Sequence, residues 1–291
     1  MKIETGQVAV ITGGASGIGF ALAQALLARG MQIALVDIEA PALEAAAKEL
    51  GEEQPGGNVA AFTADVSDAA TMTALANEVA SRFGGVDLLV NNAGVGGLLG
   101  PIWDSHPNDW PWVFGVNVFG VVNGLRAFLP GMLARERAGQ HAPGHVLNVA
   151  SLAGLTAPPF LTAYTASKHA VVGLSESLAQ ELAIVQSRIR VSTVCSGVVR
   201  SRIKESGRNR PPALAGQSRT PPEMLARIEA AFAAQMQNPM EGDVFAARVL
   251  AGIEANEPLI LTHPAENAHA LARLEYVRAA VARQTGEQQA A

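Results

Sequence analysis

Gln7-Val-Ala-Val-Ile-Thr-Gly-Gly-Ala-Ser-Gly-Ile-Gly-Phe-Ala-Leu-Ala-Gln-Ala-Leu-Leu-Ala-Arg-Gly-Met-Gln-Ile-Ala-Leu-Val-Asp37 is the stretch that decides how this chain folds. Gln7 to Thr12 is a short β-branched run, the pattern of a buried strand. Thr12 to Gly19 follows as a glycine-rich turn, and Phe20 to Gly30 reads as a helix closed by glycine. Glycines at a strand-to-helix turn let the backbone bend tightly and approach a ligand, while the helix N-terminus offers N–H groups to a phosphate. Met31 to Asp37 is a second strand that ends in an acid, 18 residues after Gly19. That is close to the ~20-residue offset at which a carboxylate accepts from the ribose 2′-hydroxyl of NAD. Strand, turn, helix, strand and acid together predict a dinucleotide site. Its expected members are Thr12, Gly13, Ser16, Gly17, Ile18, Gly19, Asp37 and Ile38.

The alternation continues. Residues 41–50 and 69–83 read as helices, and 58–65 and 86–94 as strands that run into Asp65 and into Asn91, Asn92 and Gly94. Alternating strands and helices imply a parallel sheet with helices on both faces, and ligands sit at the carboxyl ends of its strands. The expected architecture is α/β: a Rossmann-type doubly wound parallel sheet of about seven strands in a single domain over 1–291, without internal repeats or a dividing linker. Asp65, Asn91 and Gly94 are then expected at the same crevice as Gly13 and Asp37. Turn chemistry also accounts for part of Asn91 and Asn92. Residues 109–137 read as a long helix that carries Asn117 inside an apolar stretch, where its amide must find partners. It satisfies backbone groups or holds a water or carbonyl near the site. Trp103, Trp110 and Trp112 are expected as core or interface aromatics.

A second stretch carries chemistry. His145 to Ser151 is an apolar strand ending in serine, 154–160 is a Pro/Gly-punctuated loop, and a helix then opens with Tyr164 and Lys168. Residues at i and i+4 share a helix face, so phenol and ammonium project the same way. A nearby cation lowers a phenol's pKa from about 10, and the serine hydroxyl can bond the same substrate oxygen. Such a device moves a proton on a carbinol or carbonyl oxygen, and it needs a hydride carrier beside it. Residues 190–197 are a sixth strand, 258–263 a last one, and 265–283 a final helix. Residues 200–238 are polar and Pro-rich, which suggests an irregular substrate-binding loop or lid. Arg200, Arg202, Lys204, Arg208 and Arg210 form a basic patch there that reads as a solvated face.

At 49% hydrophobic and 16% charged, the 291-residue chain is not of disordered composition. Its net charge of -5 gives no electrostatic reason to expect nucleic acid or an anionic membrane as partner. Cys195 is the only cysteine, so no internal disulfide forms. The first residues lack an apolar signal core, and no apolar run approaches a membrane span of ~18 residues. A soluble cytoplasmic protein without a metal site is the expectation.

These residues resemble the short-chain dehydrogenase/reductase family up to about residue 203. The T-G-x-x-x-G-x-G turn is Thr12 to Gly19, N-N-A-G is Asn91 to Gly94, and the Asn–Ser–Tyr–Lys set falls on Asn117, Ser151, Tyr164 and Lys168. The resemblance implies Tyr164 as general acid/base, Lys168 as the group that lowers its pKa and binds the nicotinamide ribose, Ser151 as polariser of the substrate oxygen, and Asn117 as support for a water-linked proton relay. It extends the dinucleotide site to Asp65, Val66, Asn91, Ala93, Gly94, Gly197 and Val199. Asp37 repels a 2′-phosphate, and neither Ser16 nor Ile38 is basic, which predicts NAD rather than NADP. The expected substrate is a hydrophobic secondary alcohol, aromatic ones included, or its ketone, in a pocket of Val95, Leu152, Pro158, Phe160, Leu161 and Val198. Relatives usually carry Pro-Gly where this chain has Ser196-Gly197, and Ser201 replaces a threonine. The glycine-rich ending common in the family is absent. The family commonly forms tetramers through the helices at 109–137 and 163–185, so a homotetramer or homodimer is expected. The alternatives are an NADPH-dependent ketone reductase and a dinucleotide-sensing protein without chemistry.

Overall fold

Along the central strands, neighbouring residues bury on opposite faces, and this period of two decides how the chain layers. Ala9, Ile11, Ile33, Leu35, Leu88 and Val90 enter one apolar cluster, while Val10, Ala34, Val36 and Leu89 enter a second. A sheet with two buried faces needs helices on both, and the chain supplies them. The computed structural model describes residues 1–139 and 144–285. Its order is β1 (Val8–Thr12), α1 (Gly17–Leu27), β2 (Gln32–Asp37), α2 (Ala40–Glu53), β3 (Val59–Thr63), α3 (Ala69–Phe83) and β4 (Leu88–Asn91). Next come α4 (Asp109–Phe114), a π-helical turn at Gly115–Phe119, α5 (Gly120–Arg137), β5 (His145–Val149), α6 (Thr162–Ile184) and β6 (Arg190–Cys195). The last elements are α7 (Pro222–Gln235), α8 (Gly242–Ala255), β7 (Leu259–Leu261) and α9 (Asn267–Thr285).

The seven strands form one parallel sheet in the order β3-β2-β1-β4-β5-β6-β7. The order reverses between β1 and β4, where Ile11 pairs with Val90, and a crevice opens beyond the carboxyl ends of those strands. The expected doubly wound α/β fold is therefore the observed one. Helices α1, α2 and α8 contribute to one buried face and α3, α5 and α6 to the other. Local chemistry places the ends: Asp68 caps α3 by accepting from the backbone N–H of Ala70 and Thr71, and Gly84 ends it in the left-handed conformation.

One expectation needs correction, and two features are added to it. Residues 200–238 are not an irregular loop: they hold short 3₁₀ turns at Ile203–Asn209 and Pro212–Leu214 and then α7. Pro222 opens α7, where proline is favourable because its missing N–H has no partner at a first helical position. Residues 239–257, passed over in the sequence, contain α8, which packs on α1 with Phe245, Val249 and Ile253 fully buried. The helix at 109–137 is continuous but widens into the π turn around Asn117. By length and apolar composition this helix could span a membrane, but half of its most apolar window is buried in the fold.

Candidate active site

Backbone geometry builds the mouth of the crevice first. Gly13 and Gly17 take positive φ of 63° and 56°, and a Cβ on Gly19 would run into the carbonyl oxygen of Gly13. Thr12 Oγ1 accepts from the N–H of Asn92 at 3.0 Å and of Ala93 at 3.1 Å, and Asn92 Nδ2 donates to the carbonyls of Thr12 (2.8 Å) and Gly13 (3.0 Å). The glycine turn is thereby tied to the end of β4. Ser16 precedes α1 in extended conformation without a side-chain cap, leaving first-turn N–H groups available to an anion. At the end of β2, Asp37 accepts from Ala15 N at 3.1 Å and from Glu39 N at 3.1 Å, and Ile38 is exposed. Asp65 is half-buried and accepts from Ser67, while Val66 is buried against Gly120. This cradle, narrow at its glycines and acidic at its ribose end, suits a nicotinamide dinucleotide.

Asn91 departs from expectation. Its side chain faces inward, donating to Asn148 Oδ1 at 2.8 Å beneath Gly124, so only its backbone faces the crevice region. Asn117 is fully committed within the protein. Its Oδ1 accepts from Val95 N at 2.8 Å, and its Nδ2 donates to Val95 O and to Ser167 Oγ, both at 3.0 Å. Ser167 Oγ in turn donates to the Tyr164 carbonyl at 2.7 Å. The amide thus satisfies backbone groups, and in doing so links the β4 loop to α6.

Beside it, Gly94 has Asn117 Oδ1 and Lys168 Nζ within 3.4 and 3.6 Å of where its Cβ would lie. Ser151 leaves β5 in extended conformation, and its Oγ accepts from Ala153 N at 3.2 Å. Lys168 is buried, with Nζ donating to the Val149 carbonyl at 2.9 Å and 5.6 Å from the centre of the Tyr164 ring. Burial brings the Lys168 ammonium down to about 8. Burial also pushes the half-buried Tyr164 phenol above its usual value, against the hydrogen bond from Ser151 that pulls it down. The phenol is therefore raised by burial, not lowered as expected from the Lys168 beside it, and the lowering it does receive comes from Ser151. Cys195, on the neighbouring strand, has its thiol pushed up to about 11 for the same reason.

Of the expected pocket residues, Val95 and Leu152 are buried, and Pro158, Phe160, Leu161 and Val198 half-buried. Phe160 sits at φ 66°, a conformation costly for a bulky residue, and its carbonyl accepts from Gly100 N at 3.0 Å. Gly197 is half-buried and Val199 buried, where it bridges to Met240.

The segment after β6 straps across the carboxyl edge of the sheet. Ser201 lies against Gly17, Ser206 Oγ accepts from Gly96 N at 3.1 Å, and Arg208 and Asn209 reach Glu39. Arg210 Nη1 donates to Asp109 at 3.0 Å and its guanidinium lies 4.7 Å from the centre of the Trp112 ring. Arg200 pairs with Glu241 and Arg202 with Glu205. Of the basic patch, Arg200, Arg202 and Lys204 are exposed as expected, whereas Arg208 is held by Glu39 and Arg210 is drawn inward by Asp109. Of the three tryptophans, Trp112 is buried and Trp103 exposed. Sequence reasoning missed Ser167, Ser206 and the Glu39–Arg208 pair, because nothing in the spacing brings residues ~170 apart together. It also passed over His263 and Glu266, which fold back onto Gly197.

The sequence pattern of the short chain dehydrogenases matches residues 7–211, which spans this crevice from the glycine turn to the strap. The chain belongs to the short-chain dehydrogenase/reductase family. It is an oxidoreductase of that family, whose members bind a nicotinamide dinucleotide and act on small molecules. It is 33% identical to a CLA biosynthesis dehydrogenase/reductase of Lactiplantibacillus plantarum, over 92% of this chain and 91% of the relative. It is also 33% identical to a C alpha-dehydrogenase of Sphingobium sp., over 91% and 83%. A solved short-chain dehydrogenase/reductase of Burkholderia phymatum, in complex with NAD, superposes with a TM-score of 0.88 at 38% identity and 96% coverage of both chains.

Proposed function

We propose that this protein is an NAD(H)-dependent dehydrogenase that interconverts a hydrophobic secondary alcohol and its ketone. The observation that carries the reading is the convergence of Ser151, Tyr164 and Lys168 from β5 and α6 beside a glycine cradle whose ribose end is Asp37. The turn from Thr12 to Gly19 would hold the pyrophosphate, Asp37 the adenosine ribose, Asp65 and Val66 the adenine, and Lys168 the nicotinamide ribose. When bound, NAD⁺ supplies the hydride acceptor at C4 of its nicotinamide. Ser151 holds the substrate hydroxyl, and Tyr164, as the phenolate, takes its proton and becomes the phenol as the carbinol carbon gives up hydride. Asn117 fixes the β4 loop and α6 in register. Val95, Leu152 and the half-buried Pro158, Phe160, Leu161 and Val198 supply an apolar wall, which favours a bulky substrate over a small polar one.

Asp37 supports NAD, since its carboxylate opposes a 2′-phosphate, and the NAD-bound Burkholderia relative agrees with that choice. One feature favours a second reading, an NADPH-dependent ketone reductase: Arg208 lies beside this site, unseen in the local sequence. Glu39 already neutralises it, so NAD remains the better fit. We take the protein to assemble as a homodimer or homotetramer through α5 and α6, near which Phe119 is exposed.

The test is NAD⁺ and NADP⁺ reduction at 340 nm with secondary alcohols from short aliphatic to aryl. NAD⁺ turnover with a bulky class, abolished in Tyr164→Phe while NADH binding persists, is the expected result. Normal turnover in Tyr164→Phe would sink the assignment. NADH binding without turnover of any alcohol would favour a sensing role.

A further inference from the structure

The turn after β6 is held from its far side. Gly197 N donates to His263 Nδ1 at 3.0 Å, and His263 Nε2 lies 3.1 Å from the Val198 carbonyl. Since Nδ1 accepts, Nε2 carries the proton and donates, which defines one neutral tautomer. Thr262 Oγ1, fully buried, lies 2.9 Å from Nδ1 and orients the ring. Glu266 closes over Gly197 so tightly that a Cβ there would collide with its carboxylate.

The other end of the same peptide unit faces the reacting groups. The Ser196 carbonyl accepts from Leu152 N at 2.8 Å and has Ser151 Oγ at 3.5 Å. Ser196 C=O and Gly197 N–H belong to one planar group, so neither end rotates without the other. His263 grips one end, and the segment carrying Ser151 grips the other. Where this chain lacks a proline to stiffen the turn, an imidazole holds it instead.

We propose that His263 is a positioning residue for Ser151, acting through the Ser196–Gly197 peptide plane. The proposal rests on the reading of Ser151 as the residue that holds the substrate hydroxyl. Without the imidazole the plane is free to tilt, the bond from Leu152 loosens, and the serine loses its fixed rotamer. Such misplacement lowers turnover.

The test compares His263→Ala and His263→Asn in the full-length protein, using 1-phenylethanol and NAD⁺ as probes. Asparagine can place Oδ1 where Nδ1 stands, so it restores the acceptor for Gly197 N. His263→Ala is expected to lower kcat about tenfold, and His263→Asn to recover most of it. In a Ser151→Ala background, His263→Ala should have no further effect, because coupled residues are non-additive. Equal losses in both backgrounds would overturn the proposal, as would unchanged kcat in His263→Ala. If Ser151→Ala leaves turnover intact, the reading of Ser151 fails instead. Hydrogen exchange is a readout that needs no substrate. Exchange at residues 150–155 should accelerate in His263→Ala at unchanged Tm, and recover in His263→Asn. Unaltered exchange would overturn the relay even if the probe alcohol is not turned over.

Discussion

Lys168 donates its ammonium to the Val149 carbonyl at 2.9 Å, so the cation nearest Tyr164 is anchored to the end of the strand that delivers Ser151. Burial holds this lysine at about 8 and the phenol above its usual value. Alcohol oxidation needs the phenolate and the ammonium together. Below pH 8 the ammonium is intact and the phenolate fraction grows tenfold per pH unit. Log kcat/KM for oxidation should therefore climb with a slope near one and level off above about pH 8, where Lys168 begins to lose its proton. Steady-state pH profiles check this, and Lys168→Met should lose activity across the whole range.

Asp37 and Glu39 stand together at the end of β2, the proposed ribose site, and Arg208 is bound to Glu39 with its donor Nε at 3.0 Å. Asp37→Ala should relax discrimination against NADP⁺. Asp37→Ala combined with Glu39→Gln should relax it further, because the guanidinium of Arg208 is then released to meet a 2′-phosphate. The ratio of kcat/KM for NAD⁺ and NADP⁺ is the measurement, and an unchanged ratio in the first variant refutes the role given to Asp37.

Arg210 and Asp109 are buried to 7% and 3% side-chain exposure, and they join the strap to α4. Asp109 also accepts from Leu98 N at 3.2 Å, so one carboxylate secures two loops. Removing one partner strands a buried charge. Arg210→Ala should cost about 3–5 kcal/mol in urea denaturation. The double change Arg210→Met, Asp109→Asn should cost less than the sum of the single changes.

His145 begins β5 fully buried, its Nε2 2.9 Å from Ser192 Oγ, and burial drives its pKa down to about 3. The unfolded chain binds this proton with a pKa near 6.5, so folded stability from His145 is complete above that value and is lost as pH falls toward 3. Between pH 7.5 and 5 the loss should be about 2 kcal/mol. Denaturation at the two pH values should show a shallower loss in His145→Leu than in the wild type; equal losses would contradict the assignment.

Much of this was legible in the chain itself. Residues 7–37 are read by local rules alone: β-branched runs, glycines where only glycine fits, and an acid at a fixed offset. Tyr164 and Lys168 share a helix face by periodicity, and the helix at 69–83 is bounded by Asp68 and Gly84. Where prolines cluster, the same rules mislead, because Pro222 starts a helix rather than preventing one.

What the sequence by itself determined is the parallel sheet with helices on both faces, the glycine turn between β1 and α1, and the shared helix face of Tyr164 and Lys168. Those features depend on near neighbours, and near neighbours are what a sequence displays. Only the tertiary structure decided that Asn91 turns inward to Asn148, that Asn117 ties Val95 to Ser167, that Glu39 captures Arg208, and that His263 grips Gly197. Each joins residues between 22 and 169 positions apart. No periodicity encodes such pairs, because their partners meet only once seven strands have brought their carboxyl ends to one edge. The direction of the Tyr164 shift is of the same kind, since burial belongs to the packed fold and not to the residues that flank it.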